Sequence, residues 1–191
     1  LIAWADVVIE AWSPGAFART GFTDEAIRSL NPSVIIVHTS LLASGGPLSP
    51  LAGYGYHAAA IAGYYEVVGW PDLPPDGPYL AYTDTISPRF ITSALLAAID
   101  HRRRTGSGHV IEAAQLECGL QLMAPELLDF QINDVKHTRI GNRDLNMSPQ
   151  GIYPVKGDDR WIGITIEDDV NWAVLQTLMG NPAWAKEKQY E

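Results

Sequence analysis

The stretch Thr83-Asp84-Thr85-Ile86-Ser87-Pro88 is the one local arrangement in the chain whose residue types suggest chemistry. Ser87 and Pro88 read as the N-cap and first position of a helix running to Arg104, which puts Asp84 just ahead of a helix N-terminus. Unpaired N–H groups and the macrodipole at such an end favour negative charge. A carboxylate kept ionised and aimed at an acyl carbon is a covalent nucleophile. An aspartate near a helix start is commonplace, and on residue types alone the structural reading is the stronger of the two.

Other chemistries find less support. His38, His57, His101, His109 and His137 are scattered without ligand spacing, so no metal is expected and each reads as a surface or core histidine. There is no P-loop, no G-x-G-x-x-G and no G-x-S-x-G. Cys118 lies in an apolar helical stretch and reads as a small hydrophobe. It is the only cysteine, which excludes an intrachain disulfide and fits a cytoplasmic location. The net charge of −9 over 191 residues argues against a nucleic-acid surface. A polyanionic ligand would therefore need a local basic pocket. Runs such as Val34 to Val37 and Ala94 to Ile99 are far too short to span a bilayer, and no secretory signal is visible. The chain opens at Leu1 inside an apolar run, lacks an initiator Met and closes on a charged, helix-like tail, so its ends read as cut.

The elements that must position Asp84 follow an α/β grammar. Residues 5–10 read as a short buried strand ended by Pro14-Gly15, Thr23 as the N-cap of a helix stopped by Asn31-Pro32, and residues 34–39 as a second apolar strand. Strand, helix, strand in about forty residues is a βαβ unit on a parallel sheet. An Ala-rich helix is expected over 56–65 and irregular, proline-rich chain over 70–79. The helix from Pro88 ends in Arg102, Arg103 and Arg104 before Gly106, as a helix C-terminus prefers. A strand over 109–113 and a helix from Leu116 to Phe130, kinked at Pro125, follow. The character changes near Gly141. A linker, two strands around Lys156-Gly157-Asp158-Asp159 and a helix over 168–179 suggest a second, smaller domain. Residues 1–140 thus read as one domain and 141–191 as a linker with the beginning of another.

An ordered series of motifs along nearly the whole chain resembles the family III CoA-transferases, also called the CaiB/BaiF family, which includes formyl-CoA transferase and the alpha-methylacyl-CoA racemases. Ala5-Asp6-Val7-Val8-Ile9-Glu10 with Pro14-Gly15 is similar to the family's A-D-V-V-I-E-N-F-R-P-G. Leu30-Asn31-Pro32, Gly46-Pro47, Gly53-Tyr54 and Ala62-Gly63 match later landmarks. The run from His101 to Glu112 resembles H-R-x-R-T-G-x-G-x-x-V-D, and Gly151-Ile152-Tyr153-Pro154 resembles the entry into the small domain. Ala11 and Ser13 replace the Asn and Arg of the first motif, Leu41-Leu42-Ala43 replaces G-F-G, and Gly55 replaces the Asp of G-Y-D.

The resemblance implies a Rossmann-like parallel sheet with flanking helices, truncated here, plus the start of a smaller α+β domain, in an interlocked homodimer. It implies CoA transfer from an acyl-CoA to a small carboxylic acid, with CoA or acyl-CoA as substrate and no permanently bound cofactor. Asp84 falls at the catalytic aspartate. Arg19 falls at a family arginine, as a partner for CoA phosphates or as a solvated loop residue. Trp12 replaces the family Phe, as a lining of the CoA channel or as a strand-end packing residue. Tyr54 falls where transferases carry a Tyr near the reacting carbonyl; a structural role suits it equally. Related racemases pair an Asp with a His at the position of Tyr54, and that missing His favours the transferase, since His57 lies one helical turn away. A catalytically silent CoA-binding half is the remaining alternative.

Overall fold

The computed structural model describes residues 1–187, and the last four residues of the charged tail lie outside them. Three strands, β1 (Val7–Glu10), β2 (Ile35–Ser40) and β3 (Val110–Ala114), form a parallel sheet in that order. Val7 pairs with Ile35, and Ile36 with Val110. β1 leads to β2 through α1 (Ala16–Arg19) and α2 (Asp24–Leu30). β2 leads to β3 through α3 (Gly55–Ile61), α4 (Tyr64–Val67) and the long α5 (Tyr82–Thr105). α6 (Gln115–Leu122) and α7 (Ala124–Asn133) follow β3 directly.

The continuous apolar run of β2 makes sense because both faces of the sheet are covered. Val34 and Ile36 pack with Ile27 of α2, while Ile35 and Val37 pack with Ala98, Ile91 and Leu95 of α5. Val34 to Val37 are wholly buried, and each such side chain contributes about 1.5–3 kcal/mol relative to exposure. A third cluster, with Ala59, Ala62, Tyr64 and Met123 at its centre, joins α3, α4, α6 and the start of α5. The Tyr64 hydroxyl donates to the Gly119 carbonyl at 2.8 Å inside it. Arg102 ties the end of α5 to β1, donating to the Asp6 carboxylate and carbonyl at 2.6 and 2.9 Å.

Sequence and structure differ at three helices. α5 starts at Tyr82, six residues before Pro88, so Ser87 is not an N-cap and Asp84 lies inside the first turn. Proline removes one backbone donor, the one that would reach the Asp84 carbonyl. The turn holds because Thr83, Ile86 and Ser87 are buried and because Ser87 Oγ donates to the Thr83 carbonyl at 2.6 Å. The expected 56–65 helix breaks at Gly63, whose φ of 95° suits glycine, giving α3 and α4. Pro125 opens α7 and does not kink one long helix, so α6 and α7 are separate. Thr23 caps α2 as expected, its hydroxyl accepting from the Ala26 N–H at 3.2 Å.

The chain divides into two compact units. One holds the parallel sheet and its helices; the other comprises Trp70–Asp72 and the chain from Arg139 onward. The second contains the antiparallel pair β4 (Gln150–Pro154) and β5 (Trp161–Thr165), then α8 (Asp169–Leu178) capped by Asp168. A short 3-10 turn, Ala183–Lys186, lies at the start of the charged tail. No helix among the described residues is long and apolar enough to cross a membrane.

Candidate active site

Asp84 is the third residue of α5, where the free N–H groups of the first turn complement a carboxylate. Its side chain is exposed, yet one oxygen is fixed. The Gln115 Nε2 donates to Asp84 Oδ1 at 2.6 Å. Gln115 opens α6 immediately after β3, and the neighbouring Leu116 N–H anchors that junction to the Leu41 carbonyl at 3.1 Å. The Gln115 amide is oriented in turn by Thr83, whose buried hydroxyl lies 2.9 Å from the Gly55 carbonyl and 3.2 Å from Gln115 Oε1. A hydroxyl has a single proton, so those two acceptors share it.

Gly55 explains the other flank. A Cβ there would lie 2.8 Å from both Cγ and Oδ2 of Asp84, so any larger residue would displace the carboxylate. Gly119 acts similarly one layer deeper, its missing Cβ letting α6 approach Thr83. No cation lies within ion-pair distance of Asp84 among the described residues. The result is an accessible carboxylate held by a neutral amide at a helix start, with no cation paired to it among the described residues. Tyr54 is the N-cap of α3 beside Gly55 and is 74% exposed, its ring tilted over His57 with centroids 6.2 Å apart. The Tyr54 N–H donates to His57 Nδ1 at 3.0 Å, which puts the proton of a neutral His57 on Nε2.

A second cleft, of about 400 Å³, opens at the C-terminal ends of β1 and β2. Trp12 and Gly15 line it, and the Arg19 guanidinium lies 3.3 Å from where a Gly15 Cβ would be. Trp12 meets Phe17 edge-on with ring centroids 5.5 Å apart. Four carboxylates, from Glu10, Asp24, Glu25 and Glu112, also line the cleft, with His38 among them. Hydrogen bonds from Ser44 hold the Glu112 carboxyl below its ordinary value. Both sites sit where the parallel strands end, since Trp12, Leu41 and Gln115 follow β1, β2 and β3. Ligands of open parallel sheets bind outside that edge.

The sequence profile of CoA-transferase family III matches residues 1–191. The chain belongs to that family. It is 30% identical over 190 residues to the succinyl-CoA–D-citramalate CoA-transferase of Chloroflexus aurantiacus and 29% identical to the succinate–glutarate CoA-transferase of Agrobacterium fabrum. Each alignment covers 100% of this chain and 47% of the relative, so the chain spans about half the length of the curated relatives it matches. The crystal structure of a CaiB/BaiF family protein from Brucella suis superposes with a TM-score of 0.88 at 27% identity. It covers 99% of this chain and 50% of the other.

Within this family III chain, the fold brings Asp84 and the Tyr54–Gly55 corner together, and it places Trp12 in the lining of the second cleft, with the Arg19 guanidinium beside Gly15 of that lining. None of the residues lining that cleft belongs to the Asp84 cluster. Gln115 and the purpose of Gly55 escaped the sequence reading. Nothing in the local pattern around a strand-to-helix junction marks a glutamine as a carboxylate partner. Gly55 was visible as a departure from the family motif, but its reason is spatial.

Proposed function

We propose that the protein carrying this chain is a CoA-transferase that moves CoA from an acyl-CoA thioester to a small carboxylic acid through covalent intermediates on Asp84. The carrying observation is the Asp84 carboxylate itself: exposed, fixed by Gln115 Nε2 and, among the described residues, unpaired with any cation; the resemblance puts it at the family aspartate. An ion pair would stabilise the charge and blunt the nucleophile, whereas one neutral donor orients it.

Asp84 attacks the thioester carbonyl, the C–S bond breaks, and a mixed anhydride forms with release of CoA thiolate. The thiolate then attacks the Asp84 carbonyl, releasing the donor acid and leaving an aspartyl-CoA thioester. The acceptor carboxylate attacks that thioester, regenerating thiolate and a second anhydride. Attack of thiolate on the acceptor's carbonyl yields the new acyl-CoA and restores Asp84. Each step passes through a tetrahedral oxyanion; in the two steps that attack the Asp84 carbonyl, the Gln115 amide on Oδ1 is the positioned donor. Tyr54 stands beside the reacting carbonyl, Trp12 lines the CoA channel and Arg19 meets CoA phosphate oxygens. CoA is a substrate, and no permanently bound cofactor takes part. Residues 1–140 form the large CoA-binding domain and 141–191 the linker and start of the small one. The protein works in the cytoplasm as an interlocked homodimer, for which light scattering at micromolar concentration should give twice the protomer mass.

The test is exchange between acyl-CoA donors and small mono- and dicarboxylic acids, followed by chromatography of the CoA thioesters. New thioesters formed by the wild type and absent with Asp84→Ala support the transferase. Exchange of the α-proton in deuterated water without a new thioester would instead indicate a racemase. CoA binding with neither reaction would indicate a silent half.

A further inference from the structure

The cleft beside Trp12 poses an electrostatic problem. Glu10 from β1, Asp24 and Glu25 from α2, and Glu112 from β3 present four carboxylates to it, against the Arg19 guanidinium over Gly15. A polyphosphate-bearing ligand meets net repulsion there unless some of that charge is cancelled.

His38, on β2 between them, is placed to cancel one unit of it. Its Nδ1 lies 2.7 Å from Glu10 Oε1 and its Nε2 lies 2.9 Å from Asp24 Oδ1. Ionised carboxylates have no proton to give, so both contacts are hydrogen bonds only when both ring nitrogens are protonated. A neutral ring would turn a lone pair toward one carboxylate at that distance. The chain of contacts continues to the loop itself, because Glu10 Oε2 accepts the Trp12 backbone N–H at 2.8 Å. Asp24 is the first residue of α2, so the imidazolium joins β1, β2 and α2 at the base of the cleft.

We propose that His38 is a positioning residue for CoA: as an imidazolium it grips Glu10 and Asp24, fixes the loop bearing Trp12, and removes one unit of negative charge from the cleft. The inference rests on the reading of Trp12 as part of the CoA channel. Burial pushes the ring toward neutrality, but its hydrogen bonds to the Glu10 and Asp24 carboxylates outweigh it and hold the His38 pKa above its ordinary value. Deprotonation at higher pH frees Glu10 and Asp24, and CoA binding weakens.

Calorimetric titration of the full-length protein with free CoA between pH 6 and 8.5 tests this in the wild type, His38→Gln, Asp24→Asn and His101→Gln. Ionisation of the CoA phosphate is common to all four and cancels in their ratios. The wild type loses about three- to tenfold more affinity across the range than His38→Gln, the scale of one charge acting a few ångströms away at intermediate dielectric. His101→Gln, altered at a histidine outside the cleft, follows the wild type. Asp24→Asn can donate its amide to a neutral Nε2, so its loss of affinity moves to lower pH. Parallel curves for wild type and His38→Gln, with CoA bound by both, would overturn the role of His38 alone. Absence of CoA binding to the wild type at every pH would overturn the Trp12 channel and this inference with it.

Discussion

Carboxylates are treated in opposite ways at the two ends of this sheet edge. Around His38, Glu10 and Asp24 are each matched to a ring nitrogen within 2.9 Å, and elsewhere Asp6 is matched to Arg102 and Asp129 to His137. Asp84 receives only an amide N–H from Gln115, itself steered by the Thr83 hydroxyl. The paired carboxylates are matched to a cationic or ring partner, whereas Asp84 is oriented by a neutral donor, as Glu112 is by Ser44 and Asp168 by the Asn171 N–H. Under the proposed function, what sets Asp84 apart is a neutral donor combined with exposure at the start of α5 and the close approach of Gly55.

The contrast can be broken most severely at Asp84. Asp84→Asn keeps an oxygen for Gln115 and occupies the same exposed volume, so the thermal midpoint stays near that of the wild type. Turnover should fall by about ten-thousand-fold, as expected for loss of a covalent nucleophile. A variant retaining a tenth of the rate would mean that Asp84 only positions substrate.

Removing the neutral donor comes next. Gln115→Leu should lower kcat by about a hundredfold or more, the scale for loss of one oxyanion donor, with a smaller change in KM. An effect confined to KM would make Gln115 a binding residue. Gly55→Ala tests the steric half of the site, since its Cβ must push the Asp84 carboxylate aside. A displacement of about 1 Å costs roughly a hundredfold in rate. Full activity with the variant would show that the carboxylate has room to move.

The smallest effect concerns the neutralised cluster. The folded His38 pKa is raised, so its contribution to stability is complete below the unfolded value near 6.5 and is lost as pH rises through the folded value. Thermal melts of wild type and His38→Gln should therefore converge with rising pH. A gap that widens toward pH 8 would reverse the assigned sign.

The sheet was legible because its strands are continuous β-branched runs and α2 carries an explicit cap and stop. The start of α5 was misread because Ser87-Pro88 has the form of a cap, while the forces that hold Tyr82 to Ser87 in the helix are tertiary: burial of Thr83 and Ile86 against α3 and α6. The family motifs located Asp84 and Tyr54, but Gln115 lies 31 residues from Asp84 and nothing local records their meeting. His38 was read as an isolated histidine for the same reason, since Glu10 and Asp24 reach it only after the sheet forms.

Covalent trapping addresses the central claim most directly. The full-length protein is incubated with a panel of acyl-CoA donors, quenched with hydroxylamine, digested and examined by peptide mass spectrometry, with Asp84→Ala alongside. A hydroxamate on Asp84, absent from the variant, is the predicted result. An unmodified Asp84 in protein that demonstrably turns over those donors would contradict the covalent route.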